Sequence, residues 1–500
     1  MAHTRTTKKK TKPRRAPSGR KPGAPAKPPA PSASQPTLAA EAPGGFFARL
    51  RSTLEKGLFA PTSIAPLVYF RILFGAIMFW EVTRYYSHNW IERYYINPEF
   101  FFTYFGFPFI QPWPDYWMYV HFLFLGVLAL FIMFGLWYRV SATLFFFGFT
   151  YVFLLDQANY LNHFYLISWV SFLMIFVPAH RGASLDVIRR PELRVATTPA
   201  WPLWMVRAMV GIAYFFGGIA KINSDWLQGE PMRMWLAART DFPIIGEYFT
   251  EPWATYLFSY GGLLFDLLVV PMLFWRRTRL LAVLLIVSFH LTNFQLFSIG
   301  IFPWFMLFAT PIFFAPKKLL PILRFEKIFA EPKPTKAALT TPDRYKPVVM
   351  ALIGLFAAFH VFMPFRHHLY PGNVNWTEEG HNWSWHMKLR SKGGTLKLIA
   401  TNPETNQTWT IDQRAYLSSR QRRKMEGRPD MIVLFAHYLE EELRKEGHRD
   451  VEIRAEANIS LNGRERQLLI DPTVDLTKVK RSLKRSPWIL PLETPLKTPQ

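Results

Sequence analysis

The feature that most constrains this chain is a series of apolar runs between residues 62 and 316 that are too long for the helices of a soluble core. The hydrocarbon core of a bilayer asks for roughly 20 apolar residues per helical span. Runs of this kind centre near Leu73, Val127, Phe147, Val170, Ile212, Leu264, Leu285, Phe305 and Leu355. In lipid, backbone amides must find partners within the segment, so the runs must be helices. The expected fold class is a polytopic α-helical membrane protein of about nine spans with a C-terminal extramembrane α+β domain. Gly44–Gly57 is amphipathic and reads as a helix lying on the membrane surface before the first span.

Charge then orients the bundle. Lys and Arg number 59 against 35 Asp and Glu, a net charge of +24. Such an excess can signal a nucleic-acid partner, but its distribution points to lipid, and no nucleic acid is expected. Residues 1–40 hold ten Lys or Arg and no acid, in a Pro-, Ala- and Ser-rich setting that cannot bury a core. Residues 1–45 therefore read as a disordered basic tail, without the apolar centre of a cleavable signal peptide. With that tail in the cytoplasm, the strongly basic short loops fall on one side, as the positive-inside rule requires. They carry Arg139; Arg181, Arg189, Arg190 and Arg194; Arg276, Arg277 and Arg279; and Lys317, Lys318, Arg324 and Lys327. Residues 46–364 then form the transmembrane domain. An odd span count places residues 365–500 outside, in the periplasm if the membrane is a bacterial inner membrane, the expected location.

Within that outer part, Trp383–Leu389 and Thr395–Thr401 alternate as strands and are expected to pair around Ser391-Lys392-Gly393-Gly394. Met431–Lys445 has helical spacing, with Glu440 and Glu441 beside Arg444 and Lys445. Val451–Leu461 and Arg464–Ile470 read as a hairpin through Asn462-Gly463.

Ionisable residues inside a span are costly and tend to be functional. Five stand out: Asp156, His163, Lys221, Asp266 and His290. On the positive-inside topology, His163 opens its span from outside, Lys221 ends its span outside, and His290 lies in the outer half of its own. Three basic side chains thus share one depth. Each also has a plainer use. Lys221 can snorkel, His163 can hydrogen-bond at the interface, and His290 with Asn293 and Gln295 can join helices. The two carboxylates can pair with a neighbouring helix. The Trp- and Tyr-rich stretch Tyr85–Trp117 is either an interfacial aromatic belt or the cap of an apolar pocket. Absence of Cys removes disulfides, thiolate ligands and Cys nucleophiles. Gly-x-Ser-x-Gly and phosphate-binding Gly-rich loops are also missing, the ionisable residues of the spans show no Glu-x-x-His spacing, and no metal is expected.

At these residues the sequence resembles the vitamin K-dependent gamma-carboxylase family. The resemblance runs from about residue 60 to residue 491. It is carried by Tyr151–Asp156, Asn162-His163, the Lys221 segment ending Asp225-Trp226, and Asn293–Phe302. Further motifs are Asn375-Trp376-Thr377, Ser384-Trp385, Asp471-Pro472 and Ser486-Pro487-Trp488. It implies an enzyme that oxidises reduced vitamin K (phylloquinone or menaquinone hydroquinone) with O2 to the epoxide. That oxidation drives gamma-carboxylation of glutamate in a protein or peptide by CO2. It implies Lys221 as the base for the hydroquinone, and Asn162, His163 and Asn293 beside the quinone. His290 is a further active-site histidine. Residues 375–387, with Trp376, Gly380, His381 and Trp385, contact the glutamate substrate. The chemistry is consistent with these residues. A glutamate γ-proton is too weakly acidic for an ordinary side-chain base, so a strong base has to be made away from water. A neutral amine in apolar surroundings can start that process.

There are departures from the animal members. Ala220 replaces the first lysine of a pair, Gly380 replaces a leucine, and His381 and His386 differ. The family's cysteines are missing, and the chain ends before a later C-terminal region. Propeptide-directed, processive carboxylation is therefore not expected. Two alternatives stand beside the carboxylase: a hydroquinone epoxidase without glutamate carboxylation, and a non-catalytic membrane scaffold. The sequence sets no oligomeric state.

Overall fold

A computed structural model describes residues 45–297, 299–314 and 338–496, with residues 2, 4 and 11. The expected tail, apart from those few positions, and the basic cluster Lys317–Lys327 lie outside the described residues. The amphipathic stretch forms helix α1 (Phe46–Phe59), none of whose residues is buried.

Apolar helices follow in chain order: α2 (Ala65–Ser87), α3 (Trp117–Phe134), α4 (Tyr138–Leu154), α5 (Asn162–Phe176) and α6 (Trp201–Ala220). After them come α7 (Pro252–Phe274), α8 (Arg279–Phe297), α9 (Phe302–Ala309, prolonged by a 3-10 turn to Phe313) and α10 (Lys346–Phe365). Among the described residues, α2, α3, α6, α7, α8 and the helix around α10 are long and apolar enough to cross a membrane. Six expected centres fall on these; those at Phe147, Val170 and Phe305 fall on the shorter apolar helices α4, α5 and α9. The chain is a multi-pass membrane protein.

Proline in the first turn starts α2, α6, α7, α9 and α10, where no amide donor is lost. Gly135 closes α3 in the left-handed region. Close packing sets the crossings. A Cβ on Gly75 of α2 would lie 2.5 Å from the Ala129 carbonyl oxygen of α3, so only glycine fits there. Phe74 meets Phe145 and Phe305 edge-on at the centre of the bundle. Outward faces keep large apolar side chains such as Leu123, Phe147 and Leu284 exposed, as lipid requires. Helix α10 buries only His360 and Pro364.

The loops bearing Arg139 and Arg181–Arg194 meet at one end of the bundle. There β1 (Pro61–Ser63) pairs antiparallel with β2 (Thr197–Pro199). Asp186 accepts the amides of Trp137 and Tyr138, and the Arg71 guanidinium donates to the Ala183 carbonyl.

At the other end the C-terminal residues form a four-stranded antiparallel sheet in the order β4-β3-β5-β6. The strands are β3 (Lys392–Asn402), β4 (Gln407–Thr410), β5 (Glu452–Leu461) and β6 (Gln467–Leu468). Helix α11 (Ser419–Met425) begins with a capping box between Ser418 and Gln421. Helix α12 (Pro429–Lys445) lays Ile432, Phe435, Leu439 and Leu443 in one core with Leu398, Ile453, Ala455 and Ile459 of the sheet.

The sheet corrects one expectation. Trp383–Leu389 is not a strand, and β3 pairs with β5, Lys392 opposite Leu461. Trp383, Trp385 and Lys388 have φ of 70°, 58° and 50°, which no strand accommodates. The alternation that suggested a strand places the two tryptophans among bundle aromatics instead. Trp383 sits against Tyr104, Phe153 and Tyr165, and Trp385 against Tyr165. The hairpin turn at Asn462-Gly463 forms with both residues at positive φ. Past it, Asn458 faces Leu468, one residue out of step with a two-residue hairpin, and the slip turns Arg464 inward.

Residues 53–500 make up one unit, and Arg464 helps to hold it together. Its guanidinium grips Asp225, just after α6, with both nitrogens at 2.6 Å, and Asn462 Nδ2 donates to the same carboxylate at 2.8 Å. On the other flank, Asp156 accepts the Ala158 amide and the Gln421 side chain. Burial pushes that carboxyl up to about 7.

Candidate active site

Between the bundle and the sheet domain lies a cavity of about 600 Å³. Its bundle-side wall is largely aromatic and apolar, with Tyr85, Trp90, Leu161, Phe164, Phe297 and Phe302. The opposite wall is basic. Arg390 comes from the segment leading into β3, Lys392 from the first position of β3, and Arg420, Arg423 and Lys424 from α11. Arg428 follows just before α12.

One acid tempers the basic wall and another a cation on the bundle side. Glu378 binds Arg390 at 2.6 Å and Lys392 at 3.2 Å, while Glu81 holds Arg84 at 2.5 Å. Burial pushes the Lys392 amine down to about 8 and the Lys424 amine down to about 7, and neighbouring arginines push Lys424 the same way. Lys392 also donates to the Trp376 carbonyl.

The expected site residues distribute unevenly around this space. His163 and Asn162, at the start of α5, line it. Asn162 Nδ2 donates to the His386 carbonyl at 3.2 Å and its Oδ1 accepts the Tyr160 hydroxyl at 3.0 Å. The ring of His163 stacks on Phe302, with centroids 5.8 Å apart. His290 meets Phe302 edge-on, with centroids 6.0 Å apart, fully buried on α8. Its Nε2 lies 2.7 Å from the Tyr214 hydroxyl of α6. Phe302 thus joins the two imidazoles, but His290 is not among the lining residues.

Lys221 caps the C-terminal end of α6 and is 6% exposed, so it neither snorkels nor faces lipid. The amine was expected to stand uncharged beside His163. Instead its Nζ meets Asp266 Oδ2 of α7 at 2.5 Å and the Gly217 carbonyl at 3.2 Å. The ring of Trp226 lies 5.4 Å from it. Lys221 does not line the cavity. Met387 does, and it closes over the pair: a Cβ on Gly217 would lie 2.9 Å from Met387 Cε and 3.3 Å from Asp266 Oδ2.

The segment from 375 to 387 divides into three parts. Trp376 is fully buried in the sheet-domain core, its indole N–H donating to the Leu490 carbonyl. Gly380 borders a second cavity of about 590 Å³ under the last helix, at φ +75°. His381 lines the first cavity, and Trp385 is buried against Tyr165. Asn293 is half-buried on α8 and outside the lining.

The basic wall escaped the sequence reading. Its one legible trace is the run Arg420–Lys424, interrupted only by Gln421. The rest of it is assembled by folding from residues dozens of positions apart.

The division of the molecule at this cavity matches what comparison with known families finds. The model of the HTTM domain matches residues 59–317, the bundle. The model of the vitamin K-dependent gamma-carboxylase, lumenal domain, matches residues 345–495, from the last helix through the sheet. No solved structure matches the chain. With one model covering each wall of the cavity, the chain belongs to the vitamin K-dependent gamma-carboxylase family.

Proposed function

We propose that this protein is a carboxylase-epoxidase that oxidises reduced vitamin K with O2 and couples the oxidation to gamma-carboxylation of peptidyl glutamate by CO2. The observation that carries this reading is the two-sided cavity. Its aromatic wall suits a naphthoquinol ring and the start of an isoprenoid tail, and its basic wall suits a carboxylate. One space can thus receive both reactants. When bound and oxygenated, the quinol supplies the strong base that no side chain can.

The chain's own residues have five tasks. Phe302, His163 and Asn162 orient the ring at the bundle wall. Lys221 Nζ takes a proton from a quinol hydroxyl, which requires its neutral form, with the shared proton on Asp266 Oδ2. Met387 moves aside to admit the ring to that amine. Lys424 and Arg423 hold the glutamate carboxylate, and the half-buried Trp383 and buried Trp385 fix the segment that bounds the inner part of the space.

In this reading all nine apolar helices belong to the membrane domain, residues 46–364, with the arginine loops cytoplasmic. Residues 365–500 form the extracytoplasmic α+β domain. The test is purified protein in detergent with reduced vitamin K, O2, labelled bicarbonate and a glutamyl peptide, scored for epoxide and gamma-carboxyglutamate in one tube. Both products are expected from the wild type. Lys221→Ala should lower both by about 100-fold or more while the protein stays folded. Epoxide without carboxylated peptide would leave an oxygenase, and neither product would leave a scaffold.

A further inference from the structure

Four histidines stand in file beside the cavity. His381 and His386 line it. His367 and His368 follow α10 in the turn Arg366–Leu369. Successive ring centroids, from His381 to His386 to His367 to His368, are 5.2, 4.9 and 4.0 Å apart. The first two are 5% and 6% exposed, and His368 is exposed, so the file runs from the buried side of the cavity to the surface.

Their bonding is unusual for buried imidazoles. Both ring nitrogens of His381 and both of His386 have no hydrogen-bond partner. Satisfied polar groups are the rule in an interior, so these nitrogens point to an occupant or a task. The Glu378 carboxylate lies 3.9 Å from His381 Nδ1, beyond hydrogen-bond distance. His367 is set differently. Its Nδ1–H donates to the Pro364 carbonyl at 2.7 Å, which leaves Nε2 with a free lone pair. Gly380 fixes the position of His367: a Cβ there would lie 2.7 Å from His367 Cα. Each neutral imidazole offers one donor and one acceptor, and one water or a ring rotation can bridge the gaps.

The proposed reaction has a proton to discard. Oxidation of the quinol by O2 to epoxide and water is balanced in itself. Carboxylation is not: the electron pair of the glutamate C–H bond becomes the new C–C bond to CO2, and the former hydrogen leaves as H⁺. We infer that His381, His386, His367 and His368 form a proton exit path from the cavity to outside water. This inference rests on the carboxylation reading above.

The experiment compares wild type with His367→Phe and His368→Phe in the coupled assay, with and without added 4-methylimidazole. His368 is at the surface, so its variant decides if His367→Phe fails to fold. The expected result is turnover to gamma-carboxyglutamate about tenfold or more lower, with KM for the glutamyl peptide unchanged and the rate restored by the free imidazole. A merely structural role would not be rescued. Wild-type turnover in both variants, or a loss that 4-methylimidazole does not repair, overturns the path. A wild type that makes no gamma-carboxyglutamate overturns the carboxylation reading, and the path with it.

Discussion

Lys221 and Asp266 set the strongest local constraint. Their charged atoms lie 2.5 Å apart, with 7% and 5% of the side chains exposed. Burying two ions costs about as much as their attraction returns, but stranding one of them costs about 3–5 kcal/mol. Asp266→Asn is therefore expected to lower the melting temperature in detergent sharply. The double substitution Lys221→Met with Asp266→Leu removes both charges and should recover most of that loss. Epoxide formation should stay absent in the double variant. Recovery of stability without activity is the signature of a pair retained for proton transfer. A single variant that melts with the wild type would show that the pair does not hold α6 to α7. At this scale the sequence was informative in part. An ionisable residue within an apolar run stands out, so Lys221, Asp266, His163 and His290 could all be singled out. The pairing of Lys221 with Asp266 could not, because the two are 45 positions apart and only the α6–α7 crossing brings them together.

Helices were easier to read than strands. A run of 18 or more apolar residues has few alternatives, and Met431–Lys445 carries an amphipathic period, so helices appear at the expected places. Period-two alternation is weaker evidence. Trp383–Leu389 alternates because its tryptophans plug an aromatic pocket of the bundle, and three positive φ values exclude a strand. The turn at Asn462-Gly463 was legible from its residue types. What it does was not: the slip after it aims Arg464 at Asp225, 239 residues away. That bidentate contact, sealed by Asn462, is the buried charged link between the sheet domain and the exit of α6. Arg464→Met should loosen the sheet domain and speed proteolysis between residues 365 and 392. Asp225→Leu alone should do the same, and the double variant should be less damaged than the sum of the two. The coupling is expected at about 1–3 kcal/mol from a double-mutant cycle. Additive effects would mean that the two residues act separately.

For the whole molecule, the consequence of the fold is a cavity whose two walls come from different parts of the chain, one made by helices and one by basic residues near the sheet. A carboxylate entering it meets Lys424, Arg423 and Arg428 at once, and its affinity should depend on their charge. Lys424 is the member of that wall pushed lowest: Lys392, at about 8, is already held by Glu378, while burial and adjacent arginines push Lys424 down to about 7. Below that pH the amine is cationic and attracts the glutamate carboxylate; above it the amine is neutral and does not. KM for a glutamyl peptide should therefore be lowest near pH 6 and rise toward pH 8, by at most about tenfold per pH unit because one proton is linked. The bound anion itself favours the cationic form, so the rise starts near the pKa of the free protein and levels off only at higher pH. Lys424→Gln should flatten the profile at the high value and Lys424→Arg at the low one, because guanidinium keeps its charge throughout. Arg423→Gln should raise KM at every pH and leave the slope. Added salt should raise KM for an acidic peptide far more than for a peptide with one glutamate, since screening acts on the outer, solvent-open part of the wall. A KM independent of pH in the wild type, or a slope that survives Lys424→Arg, would remove Lys424 from substrate binding and leave the basic wall a structural counterweight to Glu378.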